Sequence, residues 1–217
     1  MYKLLILTII TLSVGFSSCN KKIQKFTISG TVSSRHNHKA LSGVHVYLDA
    51  KKIVDGVYNS SFSTIANTET NSSGHYNFEI EQGHTASYRF RLSKIDYFDI
   101  EKEVSVDEIE AKPTYNRNFE MTGEAWIELI VKNTMPQNTN DEIDYRYTNV
   151  DVNGISCCNN KTIIGIGADY TADNKCKVQS NAWIHLEWVV KKNGGQISYS
   201  DSIHTTLGQT IIYRLNY

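Results

Sequence analysis

Apolar and polar residues alternate one for one along most of this chain. A period of two is the signature of strands and leaves no room for long amphipathic helices. Phe26, Ile28, Gly30 and Val32 share one parity, and Thr27, Ser29 and Thr31 share the other. The same holds for Val44, Val46 and Leu48, for Tyr76, Phe78 and Ile80, and for Tyr88, Phe90 and Leu92. Phe98, Ile100, Val104 and Val106 alternate with Asp99, Glu101, Glu103 and Ser105; Tyr115, Phe119 and Met121 alternate with Asn116, Asn118 and Glu120. Each run reads as a half-buried antiparallel strand. Leu41-Ser42-Gly43, Asn71-Ser72-Ser73-Gly74 and Glu81-Gln82-Gly83 punctuate them as turns. This spacing of strands and turns is that of a β-sandwich.

The pattern resumes after Thr122-Gly123 with Ile127, Leu129 and Val131, then Ile184, Leu186, Trp188 and Val190, then Ile211, Tyr213, Leu215 and Tyr217. Asn193-Gly194-Gly195 reads as the turn between two antiparallel strands. The expected fold is therefore all-β, two β-sandwich domains in tandem, residues 26–122 and 123–217, with the junction near Met121–Glu124. A polar stretch from Asn133 to Asp144, holding Pro136, reads as a loop long enough to be functional or mobile. Residues 50–61 read as the other irregular stretch.

The first 25 residues are of a different kind. Lys3 precedes an apolar run over residues 4–16, followed by the small pair Ser17-Ser18 and then Cys19. That order is a signal peptide, residues 1–18, too short for a bilayer-spanning helix. Phe16-Ser17-Ser18-Cys19 resembles the lipobox of bacterial lipoproteins, and with Asn20-Lys21-Lys22 it looks like those of the Bacteroides group. Phe16 stands where Leu is most usual. The resemblance implies cleavage before Cys19 and palmitate-type acylation of Cys19, which anchors the chain to a membrane at about 0.8 kcal/mol per buried methylene. Residues 19–25 form a basic tether. Some surface-bound relatives share an acidic patch at this point, which is absent here. The expected location is the outer membrane, on its periplasmic side rather than the cell surface.

Four motifs in order carry a second resemblance. They are Ile28-Ser29-Gly30-Thr31-Val32, Leu41-Ser42-Gly43-Val44-His45-Val46-Tyr47-Leu48, the stretch from Thr68 through Ser73-Gly74 to Phe78, and the stretch from Tyr88 to Tyr97. Residues 26 to about 106 are similar to the carboxypeptidase regulatory-like, or transthyretin-like, domain. The resemblance implies a sandwich of about seven strands that serves as an accessory or spacer module and carries no catalysis. Where that family usually has Gly before its last aromatic, this chain has Asp96. An enzymatic branch of the transthyretin-like fold, hydroxyisourate hydrolase, ends in Tyr-Arg-Gly-Ser; this chain ends Tyr213-Arg214-Leu215-Asn216-Tyr217, so that link is rejected. Residues 123–217 carry no family resemblance.

Candidate chemistry is sparse. A net charge of -1 gives no electrostatic case for nucleic acid. Serines and histidines are present, but without a Gly-x-Ser-x-Gly elbow. His36-Asn37-His38 lacks a third ligand at metal-site spacing, and the reading is of no metal and no cofactor. Asp141, Glu142 and Asp144 read as a solvated acidic loop, since the calcium-loop pattern is missing. Besides Cys19 there are Cys157, Cys158 and Cys176, an odd number. The candidate disulfide is Cys158 with Cys176. If Lys161–Tyr170 is a strand and Thr171–Asn174 a tight turn, the two lie too far apart to bridge, and buried thiols are the competing reading.

Thirteen tyrosines and three tryptophans exceed what two small cores need. Trp183, Tyr145 and Tyr147 are the candidates for an exposed binding platform, with cross-strand packing as the alternative. The function expected from all this is a non-catalytic, lipid-anchored envelope protein, an accessory or protein-interaction module, whose partner is another envelope protein. A glycan-binding lipoprotein of a carbohydrate-uptake system is the alternative.

Overall fold

The computed structural model describes residues 25–54, 56–150 and 160–217, and within them the chain is all-β. The first domain contains β1 (Lys25–Ser34), β2 (His45–Val54), β3 (Val57–Tyr58), β4 (Ser63–Glu69), β5 (His75–Glu81), β6 (Thr85–Ser93), β7 (Ile100–Ser105), one short helix α1 (Val106–Glu110), β8 (Thr114–Asn116) and β9 (Phe119–Met121). One sheet has the order β5-β1-β8, with β9 also on β1; the other runs β3-β2-β6-β7, with β4 on β2. β3 is a two-residue return of β2, and β8 and β9 are halves of one interrupted run. Seven principal strands remain. Every apolar parity set named above for β1, β2, β5 and β6 faces the core between these sheets. Phe90 lies at its centre, 5.3 Å from Phe119 and 6.5 Å from Tyr76.

Two close approaches explain residues that are small or strained. A Cβ on Gly30 would overlap the carbonyl oxygen of Arg117, which accepts the Tyr76 hydroxyl at 2.6 Å. Asn118 beside it accepts the backbone N–H of Thr31 at 2.9 Å through its side chain, so that donor is met across the break between β8 and β9. Asp96 has φ of 65°, the left-handed region in which glycine is at ease and Asp is tolerated.

The second domain pairs β10 (Glu124–Lys132), β13 (Thr171–Gln179) and β16 (Thr210–Asn216) in one sheet, order β13-β10-β16. The facing sheet has the order β12-β11-β14-β15, from β11 (Glu142–Thr148), β12 (Ile163–Ile166), β14 (Trp183–Lys192) and β15 (Gly195–His204). Ile127, Leu129, Val131, Ile143, Ile184 and Leu186 fill the space between them.

Several local expectations are corrected. Not every strand is antiparallel: β8 and β9 run parallel to β1, and β16 runs parallel to β10. In the first domain α1 turns the chain back so that it re-enters beside β1 in the same direction. Val106 begins that helix rather than ending a strand, because Ser105 caps it by accepting the N–H of Glu108. Within the stretch expected to be irregular, the end of β2 pairs with β3, Ile53 with Tyr58 and Val54 with Val57, and Gly56 between them has φ of 76°. The strand expected over Lys161–Tyr170 is only β12, and Thr171–Asn174 is the start of β13 rather than a turn. The turn falls earlier, where Gly167 has φ of 127° and Gly165 makes room for the Tyr170 ring.

The loop after Asn133 ends at Asp141, and Asp144 lies within β11. Asp141 is fully buried, not solvated. Burial would raise its carboxyl, but the N–H groups of Gln137 and Asn138 and the Asn133 amide donate to it and hold it below the ordinary range. Glu142 and Asp144 clamp Lys191 at 2.6 and 2.7 Å. The loop is thus organised around one internal acceptor.

Candidate partner-binding edge

Asn193 and Gly194 have φ of 49° and 77°, the pair of left-handed residues that a two-residue hairpin turn requires. They pin β14 and β15 in register over ten residue pairs, from Lys192–Gly195 to Trp183–His204. β14 continues into the sheet through β11. β15 does not continue into anything: among the described residues no strand pairs with its other edge. Of its ten residues only Ile203 is buried, and Ile197 and Tyr199 are 59% and 45% exposed.

The two faces of this edge strand differ. On the side facing the second sheet, Tyr199 stacks on Trp188 with ring centroids 5.5 Å apart and planes 15° from parallel, and Ile197 lies opposite Val190. Because the opposing sheet ends at β16, these side chains overhang it. The result is a groove of ≈ 360 Å³ that Met135 and Tyr217 complete. Lys192 sits at its rim, bonded to Asn133 Oδ1 and to the Met135 carbonyl at 2.8 Å each, with its Nζ 4.7 Å from the Tyr217 ring centroid. The Tyr217 hydroxyl is buried without a hydrogen-bond partner among the described residues, and burial pushes it up to about 12. Near the other end of β15, Tyr213 donates to Asp201 at 2.6 Å. Burial and then that carboxylate push Tyr213 up to about 12, while its donated bond holds Asp201 low.

On the opposite face Ser198 and Ser200 border a polar hollow of ≈ 480 Å³ with Arg146 and Glu187. Those two form an ion pair at 2.6 Å. An exposed backbone edge with an apolar face on one side and a hydroxyl-bearing face on the other can do one thing well. It can continue its hydrogen-bond ladder into an added strand and sort that strand's alternate side chains.

The three expected platform residues are not brought together. Trp183 is 57% exposed, on the face opposite the core, with its ring 5.0 Å from His204. Tyr145 and Tyr147 are buried and face inward, which corrects their assignment to a surface. Burial pushes the Tyr145 hydroxyl up, and it accepts from the Asn174 amide at 3.2 Å. Their parity with Ile143 against Asp144 and Arg146 was the available signal. Cys176 is buried opposite Ile127 in β13, among the core residues of the second domain. Cys19, Cys157 and Cys158 lie outside the described residues. No group of three or more potential metal ligands occurs among the described residues, and no helix there is long and apolar enough to cross a membrane.

The class the fold and the edge define is an all-β chain of two sandwich domains, the second of them open along one side. No protein-family model matches the chain, and no curated protein matches it. Among solved structures it is similar to the Bacillus anthracis TIE protein at 11% identity and a TM-score of 0.37, covering 88% of this chain and 34% of that one. This chain thus spans about a third of that protein's length. It is also similar to the shaft pilin SpaA of Lactobacillus rhamnosus GG, at 10% identity, a TM-score of 0.31 and 89% and 97% coverage. A minor pilin of Streptococcus agalactiae is matched at 10% identity, a TM-score of 0.35 and 88% and 94% coverage.

Proposed function

We propose that this chain is a lipid-anchored accessory protein of the bacterial envelope, without catalysis of its own, that takes an extended segment of another protein along β15. The observation that carries the reading is the state of that edge. β15 is ten residues long, exposed through Ser202, and contains no Lys, Arg or Pro. Soluble proteins blunt such edges with charge, proline or brevity. The edge strand β7 of the first domain follows that rule with Glu101, Lys102 and Glu103. β12, at the far side of the same sheet as β15, is only four residues long. β15 has neither device over Gly195–Ser200.

In this reading the first domain is a spacer of the carboxypeptidase regulatory-like kind. Acylated Cys19 holds it to the periplasmic side of the outer membrane. The recognised segment alternates apolar residues, set into the groove beside Ile197 and Tyr199, with polar ones facing Ser198 and Ser200.

Ile197→Lys with Tyr199→Lys places two charges on the exposed groove face, at positions outside the buried core. Tagged protein from detergent-solubilised envelope is expected to capture a partner that photo-crosslinks at Ser198 or Ser200 and is lost in the double variant. Capture that is unchanged in the double variant, or crosslinks only elsewhere, refutes the reading. The anchor is tested separately: Cys19→Ala is expected to leave the membrane fraction after a high-salt wash, and retention there rejects acylation.

A further inference from the structure

The β2–β3 hairpin carries a second exposed apolar surface, unconnected with β15. Ile53, Val57 and Tyr58 are 38%, 69% and 54% exposed, and the hairpin runs past the sheet that bears it, since β2 pairs with β6 only as far as Lys52. Hydrogen bonds hold its described residues in place. Gly56 closes it with positive φ, the Asn59 N–H donates to the Lys52 carbonyl at 3.1 Å, and the Ile53 N–H donates to the His84 carbonyl at 2.7 Å.

Its position in the fold decides what can cover it. Lys25, the first residue of β1, pairs with Glu81, the last residue of β5. Only Gln82, Gly83 and His84 then separate Glu81 from Thr85, which pairs with Lys52 at the base of the hairpin. The hairpin and the start of β1 therefore lie at the same end of the first sandwich. The second domain leaves from the other end, where Val32–Ser34 pair with Phe119–Met121 just before Gly123. Ten residues of β1 separate the two ends, about 30 Å at 3.3 Å per residue. Five residues lie between Cys19 and Lys25, six steps along the chain and a reach of about 20 Å at most.

We infer that the tip of this hairpin rests in the phospholipid surface to which the chain is anchored, with Ile53, Val57 and Tyr58 in the interfacial layer. The inference rests on the reading of Cys19 as acylated. A tether this short holds the β1 end, and with it the hairpin, against the bilayer. Tyr58 suits that layer, since it offers an apolar ring and a hydroxyl that stays wet. Ion pairs occupy two of the lysines at this end: Lys25 pairs with Glu79 at 3.5 Å, and Lys51 pairs with Glu103 at 3.2 Å. Contact is therefore driven by the apolar tip and does not require anionic lipid. Two points of attachment, the acyl chains and the hairpin, fix which way the first domain stands and so which way β15 faces.

Tyr58→Trp in the acylated full-length chain reads this directly. The natural tryptophans, Trp126, Trp183 and Trp188, are all in the second domain. In phosphatidylethanolamine vesicles whose acyl chains carry bromine, a contact quencher, the emission added by the new indole at position 58 is expected to be blue-shifted and largely quenched. Emission from the natural tryptophans is expected to persist. Adding Val57→Asp to the same chain is expected to restore the quenched emission. Protein that floats with the vesicles while the added emission stays unquenched overturns this inference and leaves the anchor intact. A blue shift that is unquenched and grows with protein concentration places the tip against a second copy and also overturns it. Protein that does not float refutes the anchor, and the inference falls with it.

Discussion

Asp49 is buried on the outer side of the first domain's larger sheet, with 1% of its surface exposed. Arg89 Nε and Nη2 donate to its Oδ2 at 3.1 and 2.8 Å, Arg91 Nε and Nη2 donate at 2.6 and 3.0 Å, and the Thr64 hydroxyl donates at 2.8 Å. Burial by itself would raise this carboxyl; the bonds from Arg91, Thr64 and Arg89 outweigh it and hold it at about 2, against an ordinary 3.8. At about 1.4 kcal/mol per pKa unit, that depression is worth about 2.5 kcal/mol. Both guanidiniums keep contact with water, which screens the cluster, so about 1–2 kcal/mol is the expected contribution. The sign follows from the depression. The contribution is complete above pH 3.8 and is lost as pH falls through about 2. Asp49→Asn should therefore lower stability by about 1–2 kcal/mol at pH 7, a fall of about 1 M in the urea midpoint for ordinary values of m. The gap to the parent should close between pH 4 and pH 2. Far-UV circular dichroism reports the loss, whereas tryptophan emission, which comes only from the second domain, reports a transition that should not move. A change at pH 7 under about 0.5 kcal/mol, the size of an ordinary surface substitution, would refute the reasoning. So would a gap that is the same at pH 7 and pH 3.

Two further perturbations separate close packing from open surface. Gly30→Ala drives a methyl group into the Arg117 carbonyl and the Tyr76 ring and should cost about 1–3 kcal/mol or more, whereas Gly83→Ala, with nothing within 4 Å of the new carbon, should be neutral or slightly stabilising in the same urea titration. Tyr145→Ala should cost about 3–5 kcal/mol as a buried aromatic truncation, and Trp183→Ala should stay within about 0.5 kcal/mol; equal effects in thermal unfolding would mean that one of the two side chains is misplaced.

Much of the fold was legible because alternation reports burial directly. Phe26, Ile28 and Val32 on β1, and Tyr88, Phe90 and Leu92 on β6, declare their inward face with no knowledge of their neighbours. Turn residues were legible where φ must be positive, as at Gly43, Gly74 and Gly194. Strand direction was not. Nothing in Thr114–Asn116 distinguishes a parallel from an antiparallel partner, because that choice is made by the path of α1 and the residues after it. Asp141 was misread for a related reason. An acidic residue in a polar loop looks solvated until the Gln137 and Asn138 N–H groups are seen to converge on it.

The open edge at β15 was legible only in part, and the missing part is instructive. The Asn193-Gly194 turn announced that a strand follows, and Ile197, Tyr199 and Ile203 give its parity. Parity assigns a face, but whether a strand lies at the edge or the centre of a sheet depends on what the rest of the chain supplies. β14 and β15 are joined by the same turn and have equal length, yet β11 returns to cover β14 and nothing described covers β15. Apolar residues on a covered strand are core; the same residues on an uncovered one cost free energy that an added strand would recover. An edge carrying lysine or proline would need no such partner. The strand without them, in a domain whose opposing sheet stops one strand short, is the place where folding has left hydrogen bonds and apolar area for association to complete.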